Sequence, residues 1–195
     1  MSTPDDTRDL VDVLRDDHRG IDDMFATLDD PDVTGLERRR AVDALIAELM
    51  RHGVVEERYL YPTIRRVLPD GAEVAEHGIE DREEAERDMK RLEGLATVDP
   101  EFDFVLAKLS AEFRHHMRTE EIYLFPRLRV AGNPAGLRDL GRRARQLKRH
   151  APTHPHPGAP RRAPVSRLVD PAIGLVDRLR DALRSGALRS GAGGR

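Results

Sequence analysis

Apolar residues recur along the first two-thirds of the chain at alternating spacings of three and four, the period of helices that bury one face. The first such stretch runs from about Thr7 to Leu28, with Leu10, Leu14, His18, Ile21, Phe25 and Leu28 on one stripe, and stops at Asp29-Asp30-Pro31. The second starts at Thr34, where Thr-Gly-Leu-Glu37 has the form of a capping box. Its stripe is Val42, Leu45, Leu49, His52, Glu56 and Leu60, and it stops before Pro69-Asp70-Gly71. The third covers roughly Ala72 to Leu95, with Val74, His77, Asp81, Ala85, Leu92 and Leu95 expected inward. The fourth opens at Asp99-Pro100-Glu101, a cap residue followed by an N1 proline, and carries Phe102, Leu106, Leu109, Phe113, His116, Glu120 and Leu124. Four amphipathic stretches joined by short polar turns predict an all-α fold, an up-down-up-down antiparallel four-helix bundle over residues 1–130.

Beyond residue 130 the character changes. Asn133-Pro134 opens a short basic helix within 131–150, residues 151–165 form a proline-rich linker, and Asp170-Pro171 opens a last amphipathic helix within 166–195 that ends in a frayed tail. The formal net charge of −3 hides an asymmetry. Residues 1–126 hold 17 Lys/Arg against 32 Asp/Glu, whereas residues 127–195 hold 16 against 4. The bundle therefore carries a basic helical C-terminal extension. It either neutralises its own acidic domain or engages an anionic partner, a protein or a membrane surface. No nucleic-acid reading motif accompanies the charge.

Several stripe positions are polar, and they repeat. His52-x3-Glu56 and His116-x3-Glu120 each place an imidazole and a carboxylate four residues apart on one helical face. In each copy a proline, Pro62 or Pro126, follows the glutamate by six. These prolines interrupt helical patterns, as a helix end or as a bend beside the site. His18 and His77 stand alone on the other two stretches. In antiparallel hairpins, residues equidistant from a turn share a level. The midpoint of 18 and 52 is Gly35, that of 77 and the 116/120 pair falls between Thr97 and Val98, and that of the 52/56 pair and 77 falls near residue 65. Short loops thus bring His18, His52, Glu56, His77, His116 and Glu120 to about one level.

The chain has no cysteine, which excludes disulfides, thiolate-bound metals and cysteine nucleophiles. A metal here must use nitrogen and oxygen donors, and four His with two Glu suit borderline first-row metals such as iron and can suit manganese or zinc, of which zinc could not do redox chemistry. If both glutamates bridge two octahedral irons and an oxo or hydroxo bridge joins them, about two positions stay open for solvent or substrate.

At these residues the chain resembles the hemerythrin-like (HHE) domains, over roughly residues 8–130. The resemblance implies a four-helix bundle around two non-heme iron ions, with Glu56 and Glu120 as bridging carboxylates. Oxygen-carrying hemerythrins have His-x3-His on the third helix and His-x4-Asp on the fourth. Here the partner of His77 is Asp81 and the fourth-helix pair is His116-x3-Glu120. One imidazole fewer leaves one more open position, which shifts the expectation from reversible oxygen carriage toward peroxide turnover, sensing or iron handling. The Glu-x-x-His order of ferritin-like sites is reversed here, which argues against that fold.

The expected function is a di-iron protein that binds, senses or detoxifies oxygen, peroxide or nitric oxide, with catalase-like peroxide consumption as the enzymatic form. The alternative is an iron- or oxygen-responsive sensor or interaction module that works through its basic tail. Asp81, Glu57 and the tyrosines Tyr59, Tyr61 and Tyr123 are neighbours that a metal or its ligand could recruit. His115 lies off the stripe, and His150, His154 and His156 read as linker residues. The acidic N-terminus lacks a signal-peptide core and no apolar run spans a bilayer, so a cytoplasmic location is expected.

Overall fold

Asp9 starts the first helix with a reciprocal cap: its carboxylate accepts the Asp12 N–H at 2.9 Å while the Asp12 carboxylate accepts the Asp9 N–H at 3.0 Å. A computed structural model describes residues 7–151 and 153–155, and every regular element among them is helical. The elements are α1 (Leu10–Leu28), α2 (Gly35–Val55), a π-helical turn π1 (Glu56–Leu60), α3 (Tyr61–Val67), α4 (Gly71–Gly94), α5 (Pro100–Thr119), a second π turn π2 (Glu120–Leu124), α6 (Phe125–Ala131) and α7 (Pro134–Lys148). The expected caps hold at Asp99, which accepts the Glu101 N–H at 2.9 Å, and at Asn133, which accepts the Gly136 N–H at 3.0 Å. Thr34 takes the N-cap position of α2 but makes no capping bond. Gly35 beside it adopts φ 52°, so a left-handed glycine turn, not a capping box, sets this entry.

α1 packs on α2 and α5, α2 packs on α4, and α4 packs on α5, while α3 lies against α4 and α6. Their buried faces form two apolar clusters. One gathers Leu10, Leu14, Leu60, Ile64, Phe125 and Leu128, and the other gathers Ile21, Phe25, Leu45, Met89, Phe102 and Leu109. Between the clusters α1 supplies His18, α2 and π1 supply His52 and Glu56, and α5 and π2 supply His116 and Glu120. A polar layer therefore sits between two dry ones, with the second apolar face of each helix fixing its level.

The prolines neither end nor break their helices. In π1 the Tyr61 N–H reaches the Glu56 carbonyl, and in π2 the Phe125 N–H reaches the Glu120 carbonyl, both five residues back. This wider turn lets Pro62 and Pro126 fall in the first turn of α3 and α6, where a missing N–H costs nothing. The two repeated glutamates each open a π turn, a distortion common at functional sites.

α4 keeps Val74, Ala85, Leu92 and Leu95 toward the core as expected and departs from the expected face at His77 and Asp81. Ala75, Met89 and Leu92 are buried, but His77 and Asp81 are exposed. Gly78 and Arg82 face the interior instead. A Cβ on Gly78 would lie 2.6 Å from the Tyr61 hydroxyl, and a Cβ on Gly53 would lie 1.0 Å from Arg82 Nη1. Two close approaches through glycine thus seat α4 on α2 and α3 and leave His77 and Asp81 exposed.

α7 lies across α1 and α2. Its Gly141 packs so closely that a Cβ there would meet the Arg8 carbonyl oxygen at 2.7 Å. The linker reading of His154 is corrected: it is buried, with Nδ1 2.5 Å from Glu93 Oε1, because the chain after α7 folds back onto α4. The rest of the expected linker and the amphipathic helix within 166–195 lie outside the described residues. Among the described residues no helix is long and apolar enough to cross a membrane.

Candidate metal centre

Five of the six residues singled out by spacing meet in the polar layer. His52 Nε2 lies 3.1 Å from Glu56 Oε1, His116 Nε2 lies 2.9 Å from the same oxygen, and His116 Nε2 is 3.8 Å from Glu120 Oε2. His18 Nε2 closes the group at 3.3 Å from Glu120 Oε2. Donor atoms of His52, Glu56, His116 and Glu120 all fall within 4.8 Å of one another, the span of a shared cation. The sixth residue, His77, lies apart. It is exposed on α4, and its Nδ1 is 3.0 Å from the Glu73 carbonyl oxygen of its own helix.

The walls are aromatic. Phe113 stands edge-on to His18 and His52, with ring centroids 6.2 and 5.6 Å apart, and Phe125 stacks on His18 at 5.6 Å. On the α4 side a cavity of about 370 Å³ opens beside His52, Glu56 and His116, lined also by Leu49, Tyr61, Arg82, Met89 and Leu109.

Each imidazole on α1 and α2 has a carboxylate behind it. His18 Nδ1 is 2.8 Å from Glu121 Oε1, and His52 Nδ1 faces Asp17 Oδ2 at 3.7 Å. An acceptor behind Nδ1 keeps the proton there and leaves the Nε2 lone pair for a metal, as second partners of metal-bound histidines do. Sequence spacing did not reveal Asp17, because it sits one residue off the stripe of α1. It also did not reveal Arg82, whose Nε is 2.8 Å from Glu57 Oε1 and whose Nη2 is 3.2 Å from Glu86 Oε1 beneath the cavity.

The donor set fits a cation on its own chemistry. His18 Nε2, His52 Nε2 and Glu120 Oε2 are buried and make no hydrogen bond, and the Tyr61 hydroxyl is in the same condition. Buried polar atoms without partners are costly, and several converging on one point call for a ligand. The protonation pattern of the metal-free cluster agrees. Burial pushes the Glu120 carboxyl up to about 8, helped by the charge of Glu56. Burial would also raise Glu56, but the His52 and His116 imidazoliums hold it well below the usual range. Burial works against charge on His52 and His116, yet neighbouring carboxylates lift them to about 10 and about 9. His18 falls to about 4 through burial and the charge of His52. Protons thus supply, near neutral pH, the positive charge that this carboxylate pair requires.

A family model for the hemerythrin HHE cation-binding domain matches residues 9–128. An uncharacterised hemerythrin-like protein of the fission yeast Schizosaccharomyces pombe is 26% identical over 137 residues, covering 70% of this chain and 68% of the relative. No solved structure matches. The family match spans well over half of the chain and contains the whole histidine–glutamate cluster, and the chain belongs to the hemerythrin HHE cation-binding family.

Proposed function

We propose that the polar layer holds two non-heme irons and that the protein binds or consumes a small oxygen or nitrogen species, with peroxide disproportionation as its enzymatic form. One observation carries the reading: His18, His52, Glu56, His116 and Glu120 converge with unpartnered buried donors between two apolar clusters. In this reading the four helical columns run up-down-up-down, His18, His52, Glu56, His116 and Glu120 would hold the metals, and His77 would join them from α4. Bound iron would supply one- and two-electron redox chemistry that zinc cannot.

The protein's own groups have definable tasks. Glu121 holds the proton on the far nitrogen of His18 through a hydrogen bond, and the Asp17 carboxylate faces the far nitrogen of His52. Phe113 and Phe125 wall the layer with aromatic surface against the His18 and His52 rings. Tyr61 is held in its protonated form by burial and by the nearby charges of Glu56 and Glu120. Its hydroxyl lines the cavity without a partner of its own, so it is placed to donate a hydrogen bond to a small ligand there. The cavity is the route by which such a ligand would reach the cluster.

Metal analysis with an absorption spectrum of aerobically purified protein tests this reading. Two irons per chain with charge-transfer bands in the near-ultraviolet and visible are expected. Stoichiometric zinc, or no metal after expression with iron supplied, overturns it.

A further inference from the structure

We infer that α7, which lies outside the residues matched by the family model, acts on the metal centre: Lys148 is a positioning residue that fixes Asp17 behind the candidate ligand His52. Asp17 divides its two oxygens. Oδ1 pairs with Lys148 Nζ, and Oδ2 faces His52 Nδ1 at 3.7 Å. Both of those facing atoms are buried and make no hydrogen bond. Lys148 also reaches Glu48 Oε1 on α2 at 2.5 Å, so it ties the helix of Asp17 to the helix of His52. A buried carboxylate with one free oxygen would rotate unless its other oxygen were held, and Lys148 holds it.

The placement of Lys148 is itself fixed. Leu137, Gly141 and Ala144 form the buried face of α7, and Gly141 permits backbone contact with Arg8 and Asp9 at the start of α1. The last turn of α7 therefore arrives over Asp17, two turns further along α1. A surface lysine would gain little from such pairs, but Lys148 and Asp17 are mostly removed from water, which strengthens both contacts.

The inference rests on the metal-site reading, and the test separates the two. Cobalt(II), used alone as a probe, is titrated into the metal-free full-length chain, with the dissociation constant, the rate of loss to a chelator and the visible ligand-field bands recorded. Lys148→Met is expected to weaken cobalt binding about tenfold, speed its loss and shift the bands, with Lys148→Arg restoring all three. Asp17→Asn is expected to have the same effect, and the double variant to be no worse than either alone, because the two residues act in series. Parent-like affinity, release and bands in Lys148→Met overturn the inference, as do additive losses in the double variant. Should Lys148→Met fold poorly, Lys148→Gln, alone and combined with Asp17→Asn, gives the same comparison. A parent chain that binds no cobalt overturns the metal-site reading itself, and the inference with it.

Discussion

His18 donates from Nδ1 to Glu121, 2.8 Å away, and the next residue back, Glu120, meets the other face of the same imidazole at 3.3 Å. Two consecutive glutamates thus play different parts, one fixing the ring and one joining the candidate metal cluster. Both glutamates lie in the π turn π2, a distortion common at functional sites. Glu121 is partly exposed, so Glu121→Ala is expected to leave the fold intact while releasing the His18 tautomer. Iron affinity, read by chelator competition, should fall about tenfold or more. Unchanged affinity would mean that Glu121 is only a surface charge.

The metal-free cluster should respond to pH in a definite sense. His52 and His116 have folded values of about 10 and about 9, above the ordinary 6.5. Their contribution to stability is complete below that value and is lost as pH rises through 9 to 10. Glu120, raised from 4.5 to about 8, adds to the loss between those two values. Glu56 is depressed, so its contribution is present above 4.5 and disappears in acid. Metal requires these ligands deprotonated and releases their protons. The gain in Tm on adding iron should therefore grow between about pH 6 and pH 9. Scanning calorimetry of both forms across that range checks it, and a pH-independent gain would falsify the protonation pattern.

Much of the candidate site was legible because the repeated His-x3-Glu fixes face and level at once on α2 and α5. His18 followed because it shares the apolar stripe of α1. α4 was legible in its extent and in part of its face, since Leu92 is buried and Val74, Ala85 and Leu95 pack against the core, but not at His77 and Asp81, and the reason is physical. Its sequence is so rich in Glu and Arg that apolar periodicity barely defines a face. The true register is set by Gly78 against Tyr61 and by Arg82 over Gly53, contacts that no hydrophobic pattern encodes. Pro62 and Pro126 signalled a disturbance, but a π turn and a kink give the same sequence signal. Lys148 and Asp17 are joined only in the folded chain, 131 residues apart.

Arg82 is a buried cation seated on a glycine. Its guanidinium pairs with Glu57 and with Glu86, which is almost fully buried, and burial's opposition to its charge is outweighed by these two carboxylates. Arg82→Ala removes the cation from buried carboxylates and is expected to cost about 3 kcal/mol or more. Gly53→Ala should cost less, about 1–3 kcal/mol, because the long side chain can shift away from the new methyl group. Urea unfolding of both variants measures the order, and a Gly53→Ala loss larger than that of Arg82→Ala would contradict it.

His77 separates the gathered ligands from the proposed full set. It is exposed and its ring contacts only a carbonyl of its own helix among the hydrogen bonds described, so His77→Ala should change the stability of the metal-free protein by no more than about 0.5 kcal/mol. If His77 supplies the second iron from α4, the same substitution should lower iron from two toward about one per chain, with loss of the bands that depend on paired irons. His52→Ala strikes the residues already assembled around Glu56, so it should empty the centre more completely. Metal analysis of the two variants beside the parent distinguishes them. Full iron content in His77→Ala would assign the second metal to other donors on the cavity wall, of which Asp81 is the nearest in sequence.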